Sequence, residues 1–436
     1  DIHFPPSEEA AENARRRLAF DELLKLRLGM SLMKSRSRRE TSYHMSADID
    51  VGEFEKELPF EMTDDQKKAV SEIVGDLCRE TPMNRLLQGD VGSGKTAVAA
   101  AACWFAAKNG AQSALMAPTE ILAAQHFKTL SGFLEPFGLK VCLLTGSMTA
   151  KKKAEMRESI ASGEVNVIVG THAIIQKDVE YKALGLVITD EQHRFGVEQR
   201  NALGEKGENP HLYVMSATPI PRTLNMAMSG IRDMSTIEEP PEDRLPVQTY
   251  VMEHDWGIIC DAIRREIQRG GQVYYLHNRV EDIERTTKRL HELLDDVTIA
   301  VAHGQMDKAM LSNVMERVVS GEVQVLVCTT IIETGIDIPN VNTLIIEDAD
   351  KMGLAQLHQI RGRVGRSTRR ASAYLTFRQN KVLTEVAEKR LEAIREFAEF
   401  GSGFKIAMRD LEIRGAGSLL GAEQSGHMID VGYDMY

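Results

Sequence analysis

The stretch Arg85-Leu-Leu-Gln-Gly-Asp-Val-Gly-Ser-Gly-Lys-Thr96 decides how this chain folds. A strand-like apolar run leads into a glycine-rich turn that matches G-x-x-x-x-G-K-[ST], and the alanine-rich residues from Ala97 predict a helix directly after it. In such a turn the backbone N–H groups point inward around phosphate oxygens, and the helix directs the positive end of its dipole at the same anion. The sequence therefore predicts a P-loop, with nucleotide-binding residues Gly89, Gly92, Ser93, Gly94, Lys95 and Thr96.

A second pair of residues predicts a magnesium site. Asp190 and Glu191 follow the apolar run Leu186-Val-Ile-Thr, at the strand end where α/β sheets bind ligands. We expect Lys95 to bridge the β- and γ-phosphates of ATP, Thr96 and Asp190 to hold Mg²⁺, and Glu191 to orient the attacking water. This pairing predicts nucleoside triphosphate hydrolysis or transfer, and the water-activating carboxylate argues against a small-molecule kinase.

Short apolar runs alternate with longer amphipathic segments on both sides of the P-loop. Ten such runs begin at Arg85, Ser113, Val165, Leu186, Leu212, Gln272, Val297, Val323, Thr343 and Ala371. Continuous apolar strands separated by helices imply parallel sheets that are covered on both faces. The fold class is therefore α/β, with two similar domains in tandem.

The domain boundaries follow from changes in composition. The proline- and carboxylate-rich stretch 238–246 suits neither a helix nor a central strand, so residues 239–246 are predicted to link domains at 51–238 and 247–381. Residues 1–50 are basic and helix-prone, and residues 382–436 form a helical tail interrupted by glycines. We expect both segments to be additions to the two α/β domains.

Composition limits the class of protein and its partners. The chain has 436 residues, of which 43% are hydrophobic and 27% charged, as in ordinary globular proteins. Its net charge of −11 means that nucleic acid must be bound through local basic patches, such as residues 15–39 and 356–381. The scattered cysteines indicate neither a zinc site nor a disulfide framework, and without a visible membrane span or signal peptide we expect a cytoplasmic location.

Several further motifs resemble those of superfamily 2 helicases. They are Asp190-Glu-Gln-His, Ser216-Ala-Thr218 and Gln356-Leu-His-Gln-Ile-Arg-Gly-Arg363-Val-Gly-Arg366. Met116-Ala-Pro-Thr-Glu and Gly170-Thr-His-Ala-Ile, in the N-terminal half, resemble the RecG type. In the C-terminal half, Tyr275-Leu-His-Asn-Arg and Asp348-Ala-Asp-Lys-Met-Gly are similar to the Mfd type. The resemblance implies two RecA-like domains followed by a C-terminal helical hairpin and loop.

For the ATP site, the resemblance implies residues that the P-loop alone does not indicate. Arg363 and Arg366 resemble arginine fingers that reach from the second domain toward the γ-phosphate. Phe60 and Gln66 resemble a Q motif in which the Gln66 amide contacts adenine, whereas the residues alone favour a helix N-cap at Thr63. One ATP at the domain interface would then draw the two domains together, and hydrolysis would release them.

For DNA, the resemblance implies a set of backbone-contacting loops and a coupling hairpin. The loop residues are Pro118, Thr119, Gly146, Thr171, His172, Thr218, Arg279, Gly304, Thr329 and Thr330. The coupling residues are Arg390, Arg414 and Gln424. We expect the loops to follow strand ends, where amides and hydroxyls contact phosphates without reading bases.

Together these features predict an ATP-dependent translocase on duplex or branched DNA, in DNA repair, recombination or transcription-coupled repair. Its context would be a replication fork or RNA polymerase, through domains outside this sequence, and no membrane partner is expected. Two alternatives stay open: an ATP-gated clamp on DNA or protein that does not move, and an RNA helicase with the same ATP chemistry.

Overall fold

Two parallel sheets, one in each half of the chain, organise the molecule. The structure is a computed structural model, and it describes residues 4–36, 41, 43–191, 195, 202, 206–217, 232–239, 245–330, 338, 340–365, 369–399 and 401–414. The predicted fold class, two tandem α/β domains with helices on their sheets, is confirmed. The loop predicted after the C-terminal hairpin lies outside these residues.

The N-terminal segment consists of a long helix and a stretch that packs on the first domain. Helix α1 spans Glu8–Arg36. Beyond it, the Thr41 hydroxyl donates to the carbonyl of Asn209 (3.0 Å), and the backbone N–H of Ser46 donates to the side chain of Asn109 (2.7 Å). Residues 43–50, assigned from the sequence to the extension, thus lie against the first domain.

The first domain is built on a seven-stranded sheet. Its strands are β1 (Asn84–Gly89), β2 (Gln112–Met116), β3 (Val141–Leu144), β4 (Val167–Gly170), β5 (Leu184–Asp190), β6 (His211–Ser216) and β7 (Asp233–Ile237). The strand order is β3-β4-β2-β5-β6-β1-β7, and all the pairs are parallel. The carboxyl ends of β1, β5 and β6 therefore meet at one edge of the sheet.

Helices cover both faces of this sheet. They are α2 (Gly52–Lys56), α3 (Asp64–Leu77), α4 (Lys95–Lys108), α5 (Glu120–Leu134) and α6 (Ala150–Ser162). Each residue of α4 from Ala97 to Ala106 is buried, and the small alanine side chains let neighbouring elements approach closely. One core lies between α3, α4, α5 and the sheet, and a second core lies on the opposite face.

The second domain repeats this plan with six parallel strands. They are β8 (Gln248–Glu253), β9 (Gln272–Leu276), β10 (Ile299–Ala302), β11 (Val325–Cys328), β12 (Val341–Ile346) and β13 (Ser372–Phe377), in the order β10-β11-β9-β12-β13-β8. Its helices are α7 (Trp256–Gln268), α8 (Val280–Leu293), α9 (Lys308–Val319) and α10 (Leu354–Arg361). Apolar cores again lie on both faces of the sheet.

Two packed helices follow the second domain, in keeping with the helical hairpin that the resemblance to helicases implies. Helices α11 (Glu385–Glu396) and α12 (Gly403–Arg414) pack against each other and against α10. Leu391 and Ile394 of α11 and Ile406 of α12 belong to the core of the second domain. Within the described ranges, no helix combines the length and apolar character that crossing a membrane requires.

Three strands, β3, β7 and β8, have no counterpart among the apolar runs that predict strands in the sequence. All three lie at sheet edges, where a strand has a neighbour on one side only. An edge strand tolerates polar residues, and Asp233 in β7 and Gln248 in β8 are exposed. The apolar runs that predict central strands are therefore interrupted in β7 and β8, and β3 is only 4 residues long.

Candidate active site

The P-loop connects the central strand β1 to the buried helix α4. Its backbone turns through left-handed conformations at Gly92 (φ 82°) and Gly94 (φ 83°), which glycine adopts without steric cost. A Cβ atom added to Gly94 would lie 2.2 Å from Nε2 of Gln66. Ser93 is buried, and no described residue bonds its hydroxyl oxygen. Glycine at position 94 therefore avoids a clash with the side chain of Gln66.

Lys95 is the first residue of α4, and its ammonium group is held by the loop itself. Nζ donates to the backbone carbonyls of Gly89 (2.7 Å) and Asp90 (2.8 Å). Burial lowers the pKa of Lys95 to about 8, although the nearby carboxylates of Glu191, Asp190 and Asp90 oppose this decrease. The loop thus presents a desolvated cation that gains from an incoming negative charge.

The two predicted carboxylates lie at the end of β5 and have different partners. Asp190 Oδ2 is 2.8 Å from Nε2 of His126. Burial would raise the pKa of Asp190, but the hydrogen bond and charge of His126 and the nearby charges of Lys95 and Arg363 hold it below the usual value. Asp190 is therefore ionised at neutral pH and suited to a cation.

Glu191 turns away from its neighbour because its backbone is left-handed (φ 49°). Its carboxylate accepts from the hydroxyl of Ser216 (3.2 Å) and from the backbone N–H of Ala217 (3.1 Å), both at the end of β6. The motif residues of β5 and β6 are thus joined directly. Thr218, the last residue of the predicted Ser216-Ala-Thr218 motif, lies outside the described residues.

His126 is a site residue that sequence reasoning missed. It is buried on α5, the helix that follows β2, and β2 is the direct neighbour of β5. This adjacency brings His126 to Asp190, although the two are 64 positions apart. A single histidine within an amphipathic helix gives no signal of its own, so only the strand order could have identified it.

Gln66 links the start of α3 to the P-loop. Thr63 caps α3, and Gln66 completes a capping box in which each residue bonds the backbone N–H of the other. The Gln66 amide also donates to the carbonyl of Ser93 (2.9 Å). Thr63 is thus the helix N-cap that the residues alone predict, and Gln66 is buried against the P-loop. Phe60 is 43% exposed and makes an edge contact with Phe133 (5.9 Å between ring centroids).

A cavity of about 930 Å³ joins these residues to the second domain. Lys95, Thr96, Asp190 and Glu191 line it from the first domain, and Arg363, directly after α10, lines it from the second. Arg363 is buried, and its charge acts on both Lys95 and Asp190. The cations, the glycine-rich turn and the carboxylate fit a triphosphate with its Mg²⁺. Arg366 lies outside the described residues.

The predicted DNA loops of the first domain follow three neighbouring strands. Pro118 and Thr119 follow β2, Gly146 follows β3, and Thr171 and His172 follow β4. Glu120 joins two of these loops, since its Oε1 accepts from the backbone N–H of Ser147 (3.1 Å). Gly146 and His172 are exposed, whereas Thr171 is buried.

The second domain places its predicted DNA loops at the equivalent strand ends. Arg279 follows β9, Gly304 follows β10, and Thr329 and Thr330 follow β11. In the first sheet the corresponding strands are ordered β3-β4-β2, and in the second sheet β10-β11-β9. The Arg279 side chain is 55% exposed, and nothing lies within 4 Å of a Cβ placed on Gly304. These loops are therefore open to a ligand.

The predicted coupling residues are described only in part. Arg390 lies on α11, with its Nε atom buried and bonded to no described residue. Arg414 is the last residue of α12, and its side chain is not described. Gln424 lies outside the described residues. Their coupling role therefore stays a prediction.

Comparison with known proteins identifies the family. Residues 63–227 match the DEAD/DEAH box helicase family, and residues 256–368 match the helicase conserved C-terminal domain. A transcription-repair-coupling factor of Bacillus subtilis (strain 168) is 53% identical over 408 residues, or 93% of this chain and 35% of that protein. The solved structure of RecG bound to a three-way DNA junction is 38% identical, with a TM-score of 0.78 over 94% of this chain and 55% of that one.

The chain belongs to the RecG and Mfd type of superfamily 2 helicase motor. Its members are ATP-hydrolysing enzymes, as the sequence predicted. A second transcription-repair-coupling factor, from Staphylococcus haemolyticus (strain JCSC1435), is 52% identical over 88% of this chain. The chain spans about a third of the length of these curated relatives. Yeast Dbp5 bound to RNA and ADP BeF3 shares the fold, at 17% identity and a TM-score of 0.56.

Proposed function

We propose that this motor hydrolyses ATP in the cleft between its two domains and uses the cycle to move along DNA. The observation that carries the proposal is Arg363, which comes from the second domain and lines the same cavity as Lys95, Asp190 and Glu191 of the first. A cation supplied across a cleft makes hydrolysis depend on domain closure. The relatives, transcription-repair-coupling factors and a RecG bound to a DNA junction, support DNA as the track and DNA repair as the setting. A cytoplasmic location is part of the same proposal.

Each residue of the cleft has a distinct role in this proposal. The P-loop amides and Lys95 would bind the phosphates, and Thr96 and Asp190 would hold a Mg²⁺ ion, which would supply positive charge to the phosphate oxygens. His126 keeps the Asp190 carboxylate in place. Glu191, anchored by Ser216 and Ala217, orients the attacking water, and Arg363 and Arg366 stabilise the transferring phosphoryl group.

The strand-end loops supply the grip on DNA. In each domain three neighbouring strands end in loops that offer amides, hydroxyls or cations to a phosphate backbone. Because the loops of one domain move with that domain, opening and closing of the cleft changes the spacing between the two grips. Alternating grip and release would then advance the motor along the strand. RNA polymerase or a replication fork would supply the context.

Two substitutions test the cleft from its two sides. Lys95→Ala should abolish ATP binding and DNA-stimulated hydrolysis, because it removes the cation that faces the phosphates. Arg363→Ala should retain ATP binding and lower the hydrolysis rate by about 10³-fold or more, as expected for an arginine finger. Phosphate release and binding of a fluorescent ATP analogue measure the two effects.

Lys108→Ala is the matched control, since Lys108 is exposed at the far end of the same helix. Normal turnover in Lys95→Ala would refute the ATP site, and normal turnover in Arg363→Ala would refute the shared cleft. The ATPase rate as a function of DNA length separates movement from clamping, because it rises for a translocase and stays flat for a clamp. RNA in place of DNA as the stimulant tests the remaining alternative.

A further inference from the structure

Asp90 belongs to the P-loop, but its side chain has none of the roles described above. Asp90 follows Gly89, the last residue of β1, and only 8% of it is exposed. It borders a gap of about 40 Å³ that His358 and Ala398 of the C-terminal half also line. Its carboxylate is therefore part of a contact between the P-loop and the second half of the chain.

Asp90 accepts hydrogen bonds from two separate elements. Its Oδ1 lies 3.1 Å from Nε2 of His358 on α10, and its Oδ2 accepts from the backbone N–H of Gly401 (2.9 Å), in the turn between α11 and α12. Burial would raise the pKa of Asp90, but His358, the Gly401 N–H and Lys95 hold it below the usual value. A buried carboxylate in this state requires its donors, because an unpaired buried charge is strongly unfavourable.

The contact continues from His358 to the end of α11. Arg361 lies 3.3 Å from Nδ1 of His358, and it donates to the carbonyls of Ile394 (2.6 Å) and Phe397 (2.6 Å). A guanidinium group can only donate, so Nδ1 must accept and the ring proton must lie on Nε2, where it is donated to Asp90. One continuous path of hydrogen bonds thus runs from the P-loop through α10 to the hairpin.

The hairpin turn approaches the first domain too closely for side chains. Gly401 has a φ of 76°, and a Cβ placed on it would lie 2.6 Å from the carbonyl oxygen of Glu238. A Cβ on Gly403 would lie 2.7 Å from Oδ1 of Asp90. Ser402 fixes the turn by donating to the carbonyls of Phe397 and Glu399. Gly401 and Gly403 therefore lie directly against the first domain, and Gly403 lies against the P-loop residue Asp90.

We propose that Asp90 is a positioning residue that couples the nucleotide-binding loop to the α11–α12 hairpin. The proposal rests on the function proposed above. The backbone carbonyl of Asp90 holds the Lys95 ammonium group, while its carboxylate holds His358 and the hairpin turn. When Lys95 leaves that carbonyl for a phosphate, the backbone of Asp90 is free to shift, and the turn shifts with it. The hairpin thus responds to the nucleotide through a direct contact, in addition to motion of the second domain.

A double-mutant cycle tests this coupling. Asp90→Ala, His358→Ala and the combined variant are compared for ATP hydrolysed and for displacement of a triplex-forming oligonucleotide from linear duplex DNA. In each single variant, the amount of oligonucleotide displaced per ATP hydrolysed should fall by about fivefold or more, because the link between nucleotide and hairpin is broken. The combined variant should displace no less oligonucleotide per ATP than Asp90→Ala alone, because Asp90→Ala already removes the contact that His358→Ala breaks. Asp90→Asn, which keeps one accepting oxygen, should be intermediate.

Glu399→Ala is the matched control, because it removes an exposed carboxylate from the same turn and should leave displacement per ATP unchanged. If Asp90→Ala loses hydrolysis and displacement in equal proportion, or if the effects of the two single variants multiply, Asp90 is not a coupling residue. Lys95→Ala separates the two proposals. If Lys95→Ala still hydrolyses ATP, the proposed function is wrong. If Lys95→Ala no longer hydrolyses ATP but Asp90→Ala displaces a normal amount of oligonucleotide per ATP, only the coupling proposal is wrong.

Discussion

Neighbouring carboxylates at the end of β5 show how local backbone geometry assigns different partners to similar side chains. Asp190 continues the strand and meets His126, whereas the left-handed backbone of Glu191 directs its side chain to Ser216 and Ala217. A non-glycine residue in this conformation costs about 1 kcal/mol or more, and such strain persists where surrounding bonds hold it. Here two hydrogen bonds from β6 hold Glu191.

His126→Ala should destabilise the protein, because it removes a hydrogen bond from the buried carboxylate of Asp190. We expect the free energy of unfolding to fall by about 1–3 kcal/mol, which urea denaturation would measure. Binding of Mg²⁺-ATP should also weaken, and His126→Gln, which can still donate, should recover part of both losses. His291→Ala, at an exposed position of α8, is the control. An unchanged urea midpoint for His126→Ala would contradict the proposed support of Asp190.

The P-loop as an element depends on glycines with a left-handed backbone, and one of them, Gly94, lies against the side chain of Gln66. Gly94→Ala places a Cβ 2.2 Å from the Gln66 amide at a φ of 83°, so the loop backbone is strained and the Gln66 side chain must move, at the expense of its hydrogen bond to the Ser93 carbonyl. We expect a loss of about 1–3 kcal/mol in the free energy of unfolding, together with weaker ATP binding. Thermal unfolding with and without ATP measures both.

Gly75→Ala, in the neighbouring helix α3, should instead raise the free energy of unfolding. Gly75 lies inside α3, and nothing lies within 4 Å of a Cβ placed there. Alanine should stabilise the helix by about 0.5–1 kcal/mol, because it lowers the backbone entropy of the unfolded chain. If both variants change stability in the same direction, the steric explanation for Gly94 is wrong.

The elements that sequence alone predicts are those with a local signal. The P-loop is recognised from a contiguous sequence motif, and β5 is predicted by the apolar run Leu186-Val-Ile shortly before Asp190. By contrast, His126 reaches Asp190 only because β2 and β5 are neighbours, and Gly401 reaches Asp90 across 311 positions. Such contacts depend on strand order and domain packing, which no local pattern encodes. The role of Arg363 in the site could be predicted from the sequence only through the resemblance to helicases.

At the scale of the whole molecule, buried carboxylates should make the protein sensitive to acid. Asp90 and Asp190 are buried and Glu347 is partly buried. Although burial would raise their pKa values, hydrogen bonds to His358, His126 and His277, respectively, help to hold the pKa of each carboxyl below its usual value. Above the unfolded values, about 3.9 for aspartate and 4.3 for glutamate, they contribute their full stabilisation. As the pH falls through the lower folded values, the unfolded chain takes up protons first and this stabilisation is lost.

Urea denaturation between pH 7 and pH 3 measures this dependence. We expect the free energy of unfolding to fall steeply below about pH 4, and less steeply in Glu347→Gln, whose side chain no longer titrates. Glu281→Gln, at an exposed position of α8, should follow the unmodified protein. Identical slopes for Glu347→Gln and the unmodified protein would show that Glu347 contributes no acid sensitivity.

The strand order of the first sheet also bears on how the protein is made. The P-loop strand β1 pairs with β6 and β7, whose residues follow it by more than a hundred positions. On the ribosome, β1 therefore emerges long before either of its partners is synthesised. Until they arrive, β1 lacks its pairing partners, so we expect the P-loop to reach its final conformation, and the protein to bind ATP, only near the completion of the first domain.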